Sequence, residues 1–338
     1  MLKDREYYDR QIKLTGFGES AQKKLQQAKV LVIGAGGLGC PTLQYLATAG
    51  VGHIGIIDGD LVSVHNLHRQ VLFSREDIGH FKASVAVEKL KQLQPAVQLK
   101  SHPFSLSADN ALEIISQYDL IVDGSDNFNT RYLVNDACVI SGKSFVSGAV
   151  NDYTGQLSVF NYKEGPTYRC LYPDAPDPDH CHSCSINGIL NVLPGMVGIF
   201  MANEVIKVIT AYGDVLSGKL LTIDIQKNRY QSFSFAADPN NRKINTLKHH
   251  KYVMHGREAL TYQRLNPNTL LVDVREDWEF EEKNIGGINI PLYELPHRVS
   301  EIKGNHPIIF LCQSGLRSKQ AAALFKNENR QIMIAKLD

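Results

Sequence analysis

The sequence predicts a two-domain α/β protein, in which a large doubly wound, mainly parallel sheet with an antiparallel extension precedes a small α/β domain. Three observations support this prediction. Apolar strands alternate with helices through residues 29–150, a glycine-rich turn joins the first strand to the first helix, and a polar stretch at 238–250 precedes a second alternating run. With 338 residues, 43% of them hydrophobic, the chain is long enough to bury two cores.

The first sheet begins at Lys29–Ile33, a short β-branched run followed by GAGGLG and by apolar residues at helical spacing. A second strand is predicted at 53–58. Strands then alternate with helices, as expected for parallel strands joined by crossover helices. The remaining predicted strands are 97–104, 119–125 and 144–150, and the helices between them are 83–93, 111–118 and 131–141.

After Gly155 the pattern changes to strands that can pair antiparallel, around one long helix at 196–212. These strands are predicted at 156–162, 219–225 and 230–235. The first domain is therefore assigned to 1–237 and the polar stretch 238–250 to a linker. The second domain, 251–338, has predicted strands at 269–275, 288–292 and 307–312 and a helix at 318–328.

The charge balance excludes several classes of function. Lysine and arginine number 36 against 35 aspartates and glutamates, so the whole chain has no field that attracts nucleic acid or an anionic membrane. No run reaches about 18 consecutive apolar residues, and the charged start lacks the apolar core of a secretory signal. We expect a cytoplasmic protein with no nucleic-acid or membrane partner.

The cysteines are too sparse for a disulfide scaffold, so each is a core residue, a metal ligand or a nucleophile. Two of them, Cys40 and Cys138, fall on apolar helix faces and are assigned to the core. The full set is Cys40, Cys138, Cys170, Cys181, Cys184 and Cys312.

The glycine-rich turn has the pattern G-x-G-x-x-G, formed by Gly34, Gly36 and Gly39 between a strand and a helix. Its glycines let the backbone approach a phosphate at the helix N-terminus. Asp58 ends the next strand, where a carboxylate accepts the ribose hydroxyls of a bound nucleotide. These residues alone fit an NAD-dependent oxidoreductase as well as an ATP-dependent enzyme.

The loop after Asp58 separates these alternatives. It supplies Asn66, Arg69 and Gln70 within five residues, and Lys82 follows. A hydride-transfer enzyme has no triphosphate to neutralise, whereas attack of a carboxylate on an α-phosphate expels pyrophosphate and needs cations and a divalent metal. Asp126, at a predicted strand end in DGSDN, is placed to hold Mg²⁺.

The motifs IGAGGLG, IDGDLVSVHNLHRQ, GHFK and DGSDN resemble those of the MoeB/ThiF/HesA family of ubiquitin-activating-like enzymes, over about residues 4 to 235. The resemblance implies a Rossmann-like homodimer that uses ATP and Mg²⁺ to adenylate the C-terminal glycine of a MoaD- or ThiS-type sulfur carrier. The molybdopterin and thiamin pathways both remain open. A non-catalytic subunit of a heteromeric activator is a further alternative, against which Arg69, Lys82 and Asp126 argue.

The resemblance also assigns roles to individual residues. Asp58 contacts the ribose, Asp126 holds the metal, and Arg69 reaches into the site of the partner subunit. The other implied nucleotide contacts are Gly34, Gly36, Gly37, Gly39, Asp60, Asn66, Gln70, Lys82, Asn127 and, in YYDRQIKL near the start, Arg10.

Two cysteine patterns bear on zinc and on acyl transfer. Cys181-x-x-Cys184 has zinc spacing but lacks a second pair, and a structural site needs four ligands. In the resembled family the zinc positions correspond to Thr167, Cys170 and a pair near 238–243, so most of the ligands are missing and we expect no structural zinc. Cys184 instead matches the family's acyl-accepting cysteine, with an inert loop thiol as the alternative.

The second domain contains LVDVREDWEF and FLCQSGLRSKQAA, which resemble a rhodanese. Cys312 ends a predicted strand and is followed by a short loop to Arg317, so backbone amides can surround a persulfide on this cysteine. A phosphatase loop has five residues between cysteine and arginine, whereas here there are four. Asp273 and Arg275 match a structural DVR motif. The resemblance implies sulfur transfer from a persulfide donor such as a cysteine desulfurase, and we expect the domain to be truncated at its C-terminus.

Overall fold

The computed structural model describes residues 4–174, 188–247, 253–302, 304, 306–325 and 330–337. The chain divides into two compact units, Met1–Lys248 and His249–Asp338. Each unit has its own sheet and its own hydrophobic clusters.

The first unit is built on an eight-stranded sheet. Its strands are β1 Lys29–Ile33, β2 His53–Ile57, β3 Gln98–His102, β4 Leu120–Asp123, β5 Ser144–Asn151, β6 Thr154–Phe160, β7 Lys219–Asp224 and β8 Arg229–Ser234. They lie in the order β3-β2-β1-β4-β5-β6-β7-β8. The first five pair in parallel and the last three are added antiparallel, which confirms the predicted fold class.

Helices cover both faces of this sheet because β1 and β4 are apolar on both sides. One core contains apolar residues of α3, α4 and α8, and the other contains those of α5 and α6. The helices are α1 Asp9–Ile12, α2 Gly18–Gln27, α3 Gly39–Ala49, α4 Lys82–Leu93, α5 Ala111–Ser116, α6 Phe128–Ile140, α7 Tyr168–Leu171 and α8 Val192–Thr210.

Helix α8 is long and apolar enough, by length and composition, to cross a membrane. In this fold it is a core helix: Leu193, Val197 and Met201 are fully buried in the main hydrophobic cluster. Its Glu204 is also buried, where it accepts hydrogen bonds from Lys207 Nζ at 2.7 Å and the Leu216 amide at 2.9 Å. Packing against the sheet and α3 therefore accounts for the buried apolar residues of the helix, whereas Val192 and Ile199 are exposed.

The predicted linker differs from the structure. Residues 238–247 belong to the first unit, and a 3₁₀ turn at Pro239–Arg242 packs on it. The Arg242 guanidinium donates a 2.6 Å hydrogen bond to the Gly165 carbonyl, and the Asp238 amide donates to the Cys170 sulfur at 3.2 Å. Side-chain anchors of this kind are not visible in a polar composition, which led to the assignment as linker.

The second unit has a five-stranded sheet that is parallel throughout, in the order β11-β10-β12-β13-β9. Strand β12 is buried along its whole length and ends at Cys312. The elements are β9 Val253–His255, α9 Gly256–Leu265, β10 Leu270–Asp273, α10 Asp277–Glu282, β11 Ile288–Asn289, α11 Leu295–Arg298, β12 Ile308–Cys312, α12 Leu316–Leu324 and β13 Ile332–Lys336.

Candidate functional site

The glycine turn lies at the carboxyl end of β1, where α3 begins. Gly34 has a φ of +89°, which favours glycine, and its amide donates to the Ile57 carbonyl at 2.9 Å. A Cβ on Gly39 would lie 1.9 Å from the Gly34 carbonyl oxygen, so only glycine lets α3 start this close to β1. The turn therefore brings backbone amides to a helix N-terminus, as a phosphate-binding turn requires.

The Asp58 carboxylate is fixed beside this turn. It accepts a 2.7 Å hydrogen bond from the Ala35 amide within the turn and a 2.8 Å bond from the Asp60 amide. Burial raises the pKa of Asp58 to about 6, although the nearby Lys82 cation opposes the shift. The predicted ribose-binding carboxylate is thus held by the same backbone that forms the phosphate-binding turn.

Lys82 opens α4 and its side chain is buried next to these groups. Its Nζ lies 2.6 Å from an Asp60 carboxylate oxygen. Burial acts to lower the pKa of Lys82, but the charges of Asp58, Asp60 and Asp126 outweigh that effect and raise it. Lys82 is therefore a fixed cation in the site, with Asp60 as its direct ion-pair partner.

Arg69 lies beside the glycine turn of its own chain. Its guanidinium donates to the Asn66 side-chain oxygen at 2.7 Å and to the His65 carbonyl at 3.1 Å. A Cβ on Gly37 would lie 3.6 Å from Arg69 Cγ, so Arg69 stands against the glycine turn of its own chain. Within this chain Arg69 follows the 3₁₀ turn at Val64–Asn66 and lies beside the glycine turn, and its expected reach into a partner's site stays a prediction.

Gln70 lies next to the glycine turn and is almost fully buried, at 4% exposure. Its Nε2 is 3.6 Å from the position of a Cβ on Gly36. Its Oε1 is buried with no hydrogen-bond partner among the described residues. A buried acceptor without a partner is unfavourable by about 1–3 kcal/mol, so this site fits a ligand that supplies a donor.

Asp126 is exposed at the loop after β4, and its charge acts on both Arg69 and Lys82. The loop is held by Asp123, a fully buried residue that sequence reasoning missed. Its carboxylate accepts hydrogen bonds from Ser125 Oγ at 2.6 Å and Ser147 Oγ at 3.1 Å. The two aspartates of DGSDN therefore have different roles: Asp123 holds the loop in place, and Asp126 is exposed to solvent.

Asn127, a predicted nucleotide contact, has a structural role. Its side-chain oxygen accepts a 2.9 Å hydrogen bond from the Thr130 amide and so caps α6. A cap residue fixes the direction in which the preceding loop leaves the helix. Asn127 thus positions the loop that carries Asp126.

Arg10 lies away from the other predicted contacts of its own chain. The neighbouring Gln11 donates a 3.1 Å hydrogen bond to the Ala49 carbonyl, at the C-terminal end of α3. Eleven helical residues span about 16 Å, and the glycine turn lies at the opposite end of that helix. The prediction that Arg10 contacts phosphate therefore does not hold within a single chain.

The residues at the positions where the resemblance implied zinc ligands form hydrogen bonds to the sulfur of Cys170. Cys170 Sγ accepts hydrogen bonds from the amides of Thr167 at 3.4 Å and Asp238 at 3.2 Å, and from Asn241 Nδ2 at 3.6 Å. Burial acts to raise the pKa of Cys170, but these donors outweigh it and lower the pKa. Among the described residues no group of three or more histidine, cysteine or acidic side chains could hold a metal. Cys181 and Cys184 lie outside the described residues, so their predicted roles stay predictions.

Cys312 is fully buried at the end of β12, within the loop that leads into α12. Its sulfur accepts hydrogen bonds from the Gly315 amide at 3.0 Å and the Ser318 amide at 3.4 Å. Gly315 has a φ of +89°, which turns its amide toward the sulfur. The loop therefore forms the amide-lined cradle that the sequence predicted.

Helix α10 is tied to this loop and to the sheet. The Glu279 carboxylate accepts hydrogen bonds from both terminal nitrogens of Arg317, the longer of which is 2.7 Å. This ion pair lowers the pKa of Glu279 to about 2. The buried Arg275 donates to Asp273 at 2.7 Å and to the carbonyls of Glu279 and Lys283. The DVR motif thus acts structurally, as predicted.

Comparison with known proteins assigns both units to families. The ThiF family profile matches residues 8–244, and the profile of the rhodanese-like domain matches residues 258–336.

Two relatives and one solved structure extend this finding. A sulfur carrier protein adenylyltransferase of Thermus thermophilus is 46% identical over 237 residues, 69% of this chain and 88% of that protein. A probable adenylyltransferase/sulfurtransferase MoeZ of Mycobacterium tuberculosis is 36% identical over 343 residues, 94% of this chain and 87% of that protein. The crystal structure of E. coli MccB with MccA-N7isoASN gives a TM-score of 0.62 at 23% identity, covering 70% of this chain and 73% of that chain. That last similarity concerns the fold.

Proposed function

The chain belongs to the ThiF family and carries a rhodanese-like domain, and from this premise we propose that it uses the two units in sequence. It is an adenylyltransferase with a sulfurtransferase domain, like the relatives that span both units. The first unit adenylates the C-terminal glycine of a ubiquitin-like sulfur carrier with ATP. The second supplies the sulfur that converts this C-terminus to a thiocarboxylate.

The main support for the adenylation step is that charged side chains lie together at the glycine turn. Arg69 and Lys82 place two cations within the electrostatic reach of Asp126, at a helix N-terminus that favours phosphate. Negative charge develops on the pyrophosphate leaving group, and fixed cations stabilise it. The alternative of an NAD-dependent oxidoreductase has no use for these cations, and the relatives do not support it.

We propose Asp126 as the protein ligand of Mg²⁺. The carboxylate is exposed and has no hydrogen bond or ion pair among the described residues. Magnesium in nucleotide sites is held by one or two carboxylates together with substrate phosphates, so a single carboxylate fits the requirement. When bound, the ion offsets charge on the phosphates.

The proposed transfer of sulfur to the carrier needs no oxidant. The terminal sulfur of a Cys312 persulfide attacks the carbonyl carbon of the carrier adenylate, a C–S bond forms, and AMP leaves with the electron pair. A second thiol then attacks the Cys312 sulfur and expels the carrier as the thiocarboxylate. We propose an external thiol for this role, and the disulfide that results is reduced by cellular thiols.

We propose that the active form is a homodimer in which Arg10 of one copy contacts the phosphates bound by the other. This accounts for the position of Arg10 at the far end of α3 from its own glycine turn. Closed two-fold symmetry supplies two such sites. We also propose a cytosolic location, where Cys312 stays reduced until a persulfide donor such as a cysteine desulfurase loads it.

Carrier-dependent exchange of pyrophosphate into ATP tests the proposed adenylation. Asp126→Ala should lower the exchange rate by at least about 100-fold, because charge on the phosphates is no longer offset. Asp214→Ala is the matched control, since Asp214 is also an exposed acid of the first unit but lies after α8. An Asp126→Ala rate equal to that of the control would refute the proposed site.

A further inference from the structure

Helix α10, beside the Cys312 loop, is strongly acidic. Five of the seven residues in 276–282 are aspartate or glutamate. Glu279 is paired with Arg317, and Glu276 takes part in the capping of the helix. The remaining three, Asp277, Glu281 and Glu282, are exposed and have no ion pair among the described residues of this unit.

Large apolar side chains are exposed on α10 and on the loop that it contacts. Trp278, the only tryptophan of the chain, is 66% exposed, and Leu316 in the sulfur loop is 50% exposed. The ion pair between Glu279 and Arg317 joins the helix to the loop, and Trp278 and Leu316 are the sequence neighbours of these two residues. Tyr293 is 63% exposed, and its pKa is raised, first by Glu294 and also by Glu276 and Asp277, so its hydroxyl lies near the start of α10.

We propose that this surface, the α10 face (Trp278, Leu316, Tyr293, Asp277, Glu281 and Glu282), docks the protein that delivers sulfur to Cys312, through a basic surface around the donor's persulfide. The inference rests on the proposed sulfur transfer. Exposed aromatic residues supply contact area at low entropic cost, and unpaired acids select a partner of opposite charge. The same acids repel small anionic donors such as thiosulfate, which favours a cationic protein donor as the occupant.

The loading reaction is a sulfur exchange that needs no redox partner. The Cys312 thiolate attacks the outer sulfur of the donor persulfide, and a new S–S bond forms at Cys312. The S–S bond of the donor breaks, and its cysteine leaves as a thiolate. With thiosulfate as donor, sulfite is the leaving group. Docking changes the rate of this reaction with a protein donor and leaves its chemistry unchanged.

The test compares two cysteine peptides of equal length, with lysine or with glutamate around the cysteine, each supplied as its persulfide. Loading of Cys312 is followed by mass spectrometry as the gain of one sulfur atom. In the full-length protein the lysine peptide should load at least about tenfold faster at low salt, and the difference should shrink at high salt.

Two variants assign this preference to the α10 face. Glu281→Lys/Glu282→Lys should abolish or invert the preference and speed loading from thiosulfate, and cations at a helix C-terminus preserve the fold. Trp278→Ala should lower kcat/KM for the lysine peptide by about fivefold or more and leave the thiosulfate rate unchanged. Leu324→Ala, which removes a similarly exposed apolar side chain from α12, should change neither rate.

The measurements distinguish a failure of the docking surface from a failure of sulfur transfer itself. If no donor loads Cys312, the sulfurtransferase role itself fails. If every donor loads it but the charge reversal leaves the peptide preference unchanged, the α10 face is not the docking surface and the proposal is overturned.

Discussion

The raised pKa of Asp58 predicts that the KM for ATP depends on pH. Its pKa is raised to about 6 by burial, so the carboxyl becomes protonated as the pH falls through that value. A protonated carboxyl has one oxygen that donates, so it accepts hydrogen bonds from the two ribose hydroxyls less well than the carboxylate does. The KM for ATP should therefore rise by up to about tenfold per pH unit below pH 6.

Asp58→Asn provides the control for this pH dependence. The variant should have a higher KM that changes little over the same range, apart from the titration of ATP itself. If wild type and variant show parallel profiles, Asp58 does not bind the ribose in its charged form. The shift also affects folding: a raised carboxyl pKa favours the folded state at low pH, and this contribution disappears as the pH rises through about 6.

The candidate site was predictable at the residue scale only in part. The sequence indicated Asp58, Lys82 and Asp126 because spacing relative to a strand end determines where such side chains emerge. It could not indicate that Arg69 folds back onto its own glycine turn, since that depends on the 3₁₀ turn before it. The buried Asp123 was also missed, because one of its hydrogen bonds is local, to Ser125, and the other comes from Ser147 on the neighbouring strand β5.

At the scale of elements, the buried ion pair between Arg275 and Asp273 helps to hold α10 on the sheet. Arg275→Met leaves the fully buried Asp273 without its partner and removes the bonds to two carbonyls at the end of α10. Removal of one member of a buried pair destabilises by about 3–5 kcal/mol. Calorimetry should show a lower Tm for the second unit and an unchanged transition for the first.

Arg298→Met is the matched control for this stability effect. Arg298 pairs with Glu294 and Glu301 on the exposed side of α11, where such pairs contribute about 0–1 kcal/mol. A loss from Arg275→Met no larger than that of the control would show that the buried pair does not hold the unit together.

The Cys170 cluster gives a second prediction at this scale. Hydrogen bonds from Thr167, Asp238 and Asn241 hold the 3₁₀ turn against α7 where the resembled family uses zinc. Metal analysis of the purified protein should therefore find less than stoichiometric zinc, since four ligands are required. One zinc per chain would overturn this interpretation of the cluster.

Elements with a clear pattern of apolar residues could be predicted from the sequence. Elements held in place mainly by polar side chains could not. Strand β1 was predicted at its observed bounds, and β12 within one residue, because both are continuous apolar runs between turn signals. The helices α2 and α9 were not predicted, because their apolar positions are few and their charge is high. The segment 238–247 was mistaken for a linker because the side-chain hydrogen bonds that tie it to the first unit do not show in its polar composition.

At the scale of the whole molecule, the dimer can be tested by mixing inactive subunits. Arg10→Ala combined with Asp126→Ala should restore one working site per heterodimer, because the intact residues then meet in one of the two sites. Arg69→Ala combined with Asp126→Ala should not restore activity, since both residues belong to the same chain's site. The reverse pattern in pyrophosphate exchange would show that Arg69, and not Arg10, crosses between subunits.

The central claim is that the two units perform separate chemical steps, and Cys312→Ala tests it most directly. Its expected effect follows from the amides of Gly315 and Ser318, which surround this sulfur. Pyrophosphate exchange and intact-mass spectrometry of the carrier are measured together, with Cys170→Ser as the control for loss of a thiol. We expect normal exchange and no carrier thiocarboxylate from Cys312→Ala, and both activities from the control. A normal yield of thiocarboxylate from Cys312→Ala would contradict it.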